Sequence, residues 1–461
     1  MRVFVAGATG VAGRRAVAGL VAAGHEVTGI ARDAQKAELV RTLGATPVAV
    51  SLFDADALRA AVAGHDAVVN LATKIPPVRN AARAGAWDEN TRIRTEGSTN
   101  LADAAIAAGA HVYVQESLAF LYGDHGGEWI DAGSTPILDS PYTAPVRTAE
   151  ANAARVTAAG GRGVVLRFGF FYAADSEQTR TSVHMARRGT STEFGAADAY
   201  APAIDADDVA TAIVAALDAP AGVYDIVDDE PMTSRERDEA LAHAVGRRRL
   251  WRAPAWMVPT GAAELGLSRR VSNRRFRDAT GWAPRSSNRA IGMRKVVAEM
   301  GVEPALSIRT RVSLWLLAFT ALGLGLYAEF TPRAFYDNFP FGRGWVALDG
   351  RYNQHLIRDF GALNLALCVF TAGALFIGLR SVAKLAALAW IVYSVPHFVY
   401  HLRHLTMAMA GADKVGMMVS LAVPILLAIV ILWPESRRSD AAGVAELSSP
   451  REARTLHISR S

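Results

Sequence analysis

From residue 1 to about residue 222 the chain alternates short apolar runs with longer, Ala-rich stretches. The short runs, at 2–6, 26–31, 46–50, 67–71, 111–115 and 163–168, predict strands. The stretches between them predict helices, and regular alternation of the two predicts an α/β fold: a doubly wound parallel sheet covered by helices on both faces. A further apolar run at 223–227 predicts another strand, and Glu230-Pro231-Met232-Thr233 leads into a helix capped by Thr233 or Ser234. After Arg311 the pattern changes. No charged residue lies between Arg311 and Glu329, within 360–379, within 385–402 or within 415–433. Each window, about 17–20 residues long, can cross a hydrocarbon core as a helix. The reading is therefore a front domain at 1–302, an all-α four-helix transmembrane domain at 309–433 and a disordered polar tail at 434–461.

The 51% hydrophobic content of these 461 residues exceeds that of an ordinary soluble enzyme, and the excess sits in the last third. Arg309, Arg311, Arg380, Arg437 and Arg438 flank the apolar windows, so the net charge of +5 reads as membrane-flanking charge and not as a nucleic-acid footprint. Cys368, the single cysteine, lies inside the second window, which excludes an intrachain disulfide or a cysteine metal cluster. The first strand begins at once after Met1, leaving no room for a signal peptide. The expectation is a multi-pass protein of the inner or plasma membrane with its front domain in the cytoplasm.

The first strand runs into Gly7-Ala8-Thr9-Gly10-Val11-Ala12-Gly13 and then a helix-forming stretch. A strand, a glycine-rich turn and a helix start present backbone N–H groups and a positive dipole end to a pyrophosphate. The second strand ends at Arg32-Asp33, where a carboxylate would bind the ribose 2′-hydroxyl of NAD and an arginine the 2′-phosphate of NADP. Arg32 comes first and Arg14 starts the facing helix, which favours NADP and leaves NAD open.

With these go Asn70-Leu71-Ala72-Thr73, Tyr113-Val114-Gln115-Glu116-Ser117 running into Leu121-Tyr122-Gly123-Asp124, Leu166-Arg167-Phe168 with Phe171-Tyr172, and Ile204-Asp205-Ala206-Asp207-Asp208. Over roughly residues 1–300 the set resembles the extended or atypical short-chain dehydrogenase/reductases, the NAD(P)-dependent epimerase/dehydratase group. The resemblance implies a Rossmann-type sheet with a small substrate lobe. It also implies a cofactor held by Gly7, Thr9, Gly10, Val11, Gly13, Arg32, Asn70, Ala72 and Phe168. Such proteins use a Tyr-x-x-x-Lys pair, and the resemblance places the tyrosine at Tyr142, with Glu150 further on, but the lysine slot holds Val146. A phenol with an ordinary pKa near ~10 needs a nearby cation or hydrogen bond to work at neutral pH. Lys74 or Arg147 supplies that cation, or Tyr142 is inactive. Ser117, the candidate substrate-orienting hydroxyl, sits one residue early, with Leu118 in the expected slot; a shift in the loop restores it, or Ser117 only ends a strand.

In the last third, His355 and Asp359 share one helix face, as do His397, His401 and His404. Ionisable groups at membrane depth are functional candidates, here for a metal, haem or quinone. By size and span count this domain resembles the four-helix domains of DoxX-like membrane proteins. The basic run at 269–275 reads as a solvated helix face, an anion site or a lipid contact. Three functions stay open. The first is a membrane-anchored NAD(P)-dependent oxidoreductase or epimerase-like enzyme acting on a membrane-associated or lipid-linked carbonyl or alcohol. The second is an NADP(H)-binding sensor coupled to the membrane domain, and the third is a membrane part that itself carries electrons or small molecules. The expected partners are a small-molecule or lipid-linked substrate and membrane lipid.

Overall fold

The predicted strands come together in one parallel sheet. In a computed structural model, which describes residues 1–76, 83, 85–140, 143–193, 195–254, 266–303, 305–405 and 409–434, the elements run as follows. β1 (Arg2–Ala6), α1 (Val11–Ala22), β2 (Glu26–Ile30), α2 (Ala34–Thr42), β3 (Thr46–Val48), α3 (Ala55–Val62) and β4 (Ala67–Asn70) form the first half. α4 (Asp88–Arg92) continues through a π turn, Ile93–Gly97, into α5 (Ser98–Ala107), followed by β5 (Val112–Leu118), β6 (Trp129–Ile130), α6 (Ala144–Ala158) and β7 (Arg162–Phe168). Then come β8 (Phe170–Tyr172), α7 (Glu177–Arg188), β9 (Ala203–Asp205), α8 (Ala206–Ala216) and β10 (Gly222–Ile226). α9 (Ser234–Ala244), β11 (Arg270–Val271), α10 (Arg274–Thr280) and α11 (Arg289–Glu299) complete the first unit.

The seven-stranded sheet has the order β10-β7-β5-β4-β1-β2-β3, and every neighbouring pair is parallel. Because successive side chains of a strand face opposite ways, β1 feeds both faces of the sheet. Val3 and Val5 pack with Val17 and Leu20 of α1 and Ile213 of α8, whereas Phe4 packs with Leu58, Leu101 and Val156 of α3, α5 and α6. Both faces being covered explains why the strands read as continuous apolar runs without alternation. Of two further two-stranded pieces, β8 with β9 packs with α7, α9 and α11 in the smaller lobe, while β6 with β11 packs with Ala119, Tyr122 and Val227. There Thr233 caps α9 in a reciprocal capping box with Glu236. Part of the basic run lies inside the lobe: Arg269 is buried and its Nε donates to the Tyr122 carbonyl at 2.6 Å, and Arg270 lies 4.2 Å from the Trp129 ring.

The chain divides into two compact units, Met1–Pro304 and Ala305–Ser461. The second contains α12 (Ile308–Phe330), α13 (Pro332–Asn338), α14 (Gln354–Ile377), α15 (Arg380–Arg403) and α16 (Gly411–Leu432). Four of these, α12, α14, α15 and α16, are long and apolar enough to cross a membrane. α12 packs on α14 and α16, and α15 packs on the same two, which closes the ring. Small residues set the closest approach: a Cβ at Gly361 would lie 2.7 Å from the Glu329 backbone, and one at Gly325 2.8 Å from Leu365. The Trp390 indole donates to Thr371 Oγ1 at 2.9 Å inside this unit. Outward, Phe319, Val369, Phe376 and Val392 are exposed. The tail after 434 lies outside the described residues.

Candidate functional site

β1 has β2 on one side and β4 on the other, so the chain order reverses at β1 and a crevice opens beyond the carboxyl ends of these strands. The glycine turn sits at that point. Gly7 adopts φ +80°, and a Cβ there would lie 2.5 Å from the Leu71 carbonyl oxygen. A Cβ at Gly13 would lie 1.9 Å from the Gly7 oxygen, so this glycine lets α1 press onto the turn. Gly10 differs: it is exposed, and the nearest atom to an added Cβ is the Gly7 oxygen at 3.4 Å. Two glycines are thus demanded by the fold, and the third leaves open space over the backbone. Gly10 is the N-cap of α1 with no side chain capping the helix, and the first turn carries no acidic residue. The orphan N–H groups and the positive dipole end are free for an anion, flanked by the partly buried Thr9 and Val11. These residues fit the diphosphate of a dinucleotide.

At the end of β2, Arg32 is exposed. Asp33 is already used: it caps α2 by accepting from the Lys36 backbone N–H and pairs with Lys36 Nζ, both at 2.8 Å. Arg14 is salt-bridged to Asp175 at 2.7 Å. At the end of β4, Asn70 is buried; it donates to Gln115 Oε1 at 2.9 Å and accepts from the Ala72 N–H at 3.2 Å, which fixes the backbone turning out of the strand. The Phe168 ring is in the core, where it meets Phe171 edge-on at 5.5 Å, so Phe168 offers the crevice no aromatic face.

Among the described residues the acid/base candidates are not gathered into one group. Tyr142 lies outside the described residues. Val146 is buried on α6. Lys74 is exposed on the loop after β4, its backbone N–H held by Asn90 Oδ1 at 2.9 Å, and Arg147 pairs with Asp139 at 2.9 Å near the surface. β5 runs on past Gln115 to Leu118, so Ser117 is a strand residue; it is wholly buried and its hydroxyl donates to Glu150 at 2.6 Å, whereas Leu118 is partly exposed.

Glu150 is the end of a buried polar string that the sequence did not reveal. Arg167 forks onto its carboxylate with Nε and Nη2, each at 2.8 Å, and donates from Nη1 to the Tyr122 hydroxyl at 2.9 Å. Tyr122 in turn donates to Asp225 at 2.9 Å, which also accepts from the Ala132 N–H at 2.7 Å. Ser117, Arg167 and Asp225 are register partners on β5, β7 and β10, a juxtaposition set by strand order and invisible to spacing. Burial pushes the Asp225 carboxyl up to about 7 against the opposing pull of Tyr122 and Arg167. A second buried pair, Arg94 of the π turn with Glu116 of β5 at 3.0 Å, lies beside it, and burial raises Glu116. In the lobe, burial would push Glu193 up, but Arg289 and Arg237 outweigh it and hold the carboxyl down to about 2.

In the second unit the histidines divide. His355 and Asp359 pair at 3.5 Å on an exposed face, while the His397 and His401 rings lie 4.9 Å apart and His401 reaches Asp349 at 4.0 Å. His404 turns back to the Tyr400 carbonyl at 2.7 Å. Among the described residues no group of three or more His, Cys, Asp or Glu side chains is placed to hold a metal ion.

Comparison with known proteins places this geometry. The sequence profile of the NAD dependent epimerase/dehydratase family matches residues 3–227. A 3-diazoavenalumate denitrifying reductase from a Streptomyces species is 31% identical over 298 residues, covering 62% of this chain and 96% of that protein. UDP-glucose 4-epimerase of Thermus thermophilus, solved in complex with NAD, is 25% identical with a TM-score of 0.55, over 65% of this chain and 99% of the other. Human epimerase family protein SDR39U1, isoform 2, solved with NADPH, is 25% identical with a TM-score of 0.56 over the same shares. These solved structures carry either nicotinamide dinucleotide, and a nicotinamide cofactor is what the glycine turn accommodates.

Proposed function

Because this chain belongs to the NAD-dependent epimerase/dehydratase family, we propose that it is a membrane-anchored, NADP(H)-dependent oxidoreductase acting on a membrane-associated or lipid-linked carbonyl or alcohol. The observation that carries the reading is the glycine turn at the strand-order reversal, with Gly10 open and the α1 N-terminus uncapped. A bound nicotinamide supplies or accepts a hydride. Gly7, Gly10 and Gly13, with Thr9 and Val11, hold the diphosphate; Asn70 and Ala72 shape the wall beside it. Arg32 takes the 2′-phosphate. Choice of NADP over NAD rests on Asp33 being tied to Lys36, which leaves the arginine as the available group at the end of β2.

Tyr142 handles the proton at the substrate oxygen, and Ser117, whose hydroxyl donates to Glu150, is a positioning residue. The Streptomyces relative is named for a reduction, which favours reduction over epimerisation or dehydration. The apolar outer faces of α12, α14, α15 and α16 motivate the membrane anchor, since a surface of that kind is stable in hydrocarbon and not in water. A tether also raises the effective concentration of the front unit near an apolar substrate.

The loss of the lysine, with buried Val146 in its place, favours a second reading in which the nucleotide is bound and sensed but not turned over. One experiment separates them. The full chain in nanodiscs of a single phospholipid, given neutral-lipid fractions of membranes, is expected to oxidise NADPH when a fraction supplies a carbonyl or to reduce NADP+ when it supplies an alcohol, and to do neither without an added fraction. Tight nucleotide binding without turnover in either direction would select the sensor, and absence of binding would overturn both.

A further inference from the structure

Helix α7 carries a row of positive charge. Arg180, His184 and Arg187 recur at i, i+4 and i+7 and so share one face, and among the described residues none of the three forms an ion pair. Arg180 and His184 are exposed. Arg187, in the last turn, suits the negative end of the helix dipole. Arg180 stands in the amino-terminal half, where the dipole gives a cation nothing, so the helix by itself does not account for this face.

The same face lines an open groove of about 650 Å³, a volume within the ~300–1,000 Å³ range of small-molecule sites. Its floor is apolar, with Val183 and Met185 of α7 facing Met300 and Val302 after the end of α11. Val183, Met300 and Val302 belong to the core that joins α7, α9 and α11. The groove's acids gather at one end and are accounted for. Asp175 is held by Arg14 at 2.7 Å and Arg15 at 3.2 Å, and Glu177 opens α7, where the dipole favours a carboxylate.

A row of unpaired cations beside a hydrocarbon floor matches one kind of ligand. An inorganic anion would leave the methionines and valines without use, and a neutral apolar molecule would leave the arginines unpaired. An amphiphile with an anionic head satisfies both. By chain length alone such molecules are near: Val302 stands six residues ahead of Ile308, where α12 begins, a connection of about 20 Å at full stretch.

We propose that the groove between α7 and the end of α11 binds the head group of an anionic phospholipid, with the phosphate on Arg180 and Arg187 and the upper acyl carbons on the floor at Met300 and Val302. His184, between the two arginines, bonds the same phosphate. The site rests on the membrane-anchor reading above and is separate from the substrate that reading names. It gives the front unit a charge-selective hold on the bilayer, in addition to the tether.

The test places a bimane fluorophore on Gln178→Cys, exposed beside the groove, in a Cys368→Ser background of the full chain. Nanodiscs of phosphatidylcholine are doped with equal amounts of phosphatidylglycerol or phosphatidylcholine carrying a nitroxide high on the acyl chain. Quenching by the phosphatidylglycerol is expected to be the stronger, with its apparent affinity falling about fivefold for each of Arg180→Gln and Arg187→Gln, the scale of one basic residue at an anionic surface. Arg180→Lys should keep the preference. Should Arg187→Gln fail to fold, the exposed Arg180→Gln carries the same comparison. Equal quenching by the two lipids, or a preference that survives the substitutions, would overturn the assignment. So would relief of quenching by an equal amount of free glycerol phosphate, which would make the groove a site for a soluble anion. The same fluorophore on Phe319→Cys, on the outer face of α12, checks the anchor. Quenching there but not at Gln178 would remove the groove alone, whereas quenching at neither would bring down the anchor reading and the groove with it.

Discussion

At Asp225 burial and bonding pull in opposite directions, and burial wins. The carboxyl is enclosed beneath Tyr122 and beside Arg167, and its proton is held up to about 7 although both neighbours and the Ala132 N–H favour the anion. In the unfolded chain the same carboxyl titrates near 3.8. Between those values the folded form keeps a proton that the unfolded form has lost, so stability contributed by Asp225 is complete at acid pH and declines as pH rises towards 7. The difference in Tm between the wild type and Asp225→Asn should therefore shrink across that interval and level off above it. A difference that stays flat with pH would show that Asp225 is ionised throughout and that Arg167 governs it. At this scale the sequence was informative about types and not about partners. Ser117, Glu150 and Tyr122 stood out as polar residues in a matching pattern, but Arg167, which bonds Glu150 and Tyr122 and lies in register with Ser117, takes its place only when β5 and β7 lie side by side.

The strand, turn and helix around β1 behave as one element in which each glycine has a separate duty. A methyl group at Gly13 would need room already taken by the Gly7 carbonyl, 1.9 Å away, so Gly13→Ala must lift α1 off the turn. We expect a loss of about 1–3 kcal/mol, the ordinary penalty of overpacking, and loss of NADPH binding with it. Gly10→Ala meets only an oxygen at 3.4 Å and should fold with an unaltered Tm, yet bind NADPH at least tenfold more weakly because the methyl stands where the diphosphate would pass. Thermal melts and NADPH titrations of the two variants decide it: equal drops in Tm would sink the division of labour. Elements of this kind were legible beforehand. The strands lie within a few residues of the apolar runs because both sheet faces are covered, and the four long helices coincide with the uncharged windows. The π turn was not legible, since Ile93, Gly97 and Leu101 keep a four-residue spacing straight through it and only packing against α6 reveals the irregularity. The extension of β5 to Leu118 was likewise hidden, because Glu116 and Ser117 are polar residues that the strand buries.

If all four long helices cross a membrane, as proposed, they return the chain to the side from which it entered, and the location of one loop then determines that of the front unit. If the front unit works with a cytoplasmic nucleotide, the connection between α12 and α14, which contains the fully exposed Phe341, must lie on the outer face. The Lys and Arg distribution hardly chooses between orientations, since Arg333, Arg343 and Arg351 fall in that same connection and Arg358 near the start of α14. The single cysteine makes a direct measurement simple. In a Cys368→Ser background, Phe341→Cys should react with a membrane-impermeant maleimide added to intact cells, while Asp56→Cys, on an exposed part of α3, should react only after the cells are opened. The reverse pattern would put the glycine turn where nicotinamide dinucleotides are scarce and would leave the nucleotide reading without a cofactor supply. Labelling of both sites in intact cells would show that the helices do not span at all. In that case their apolar outer faces, Phe319 and Phe376 among them, would have to be buried against other copies or partners.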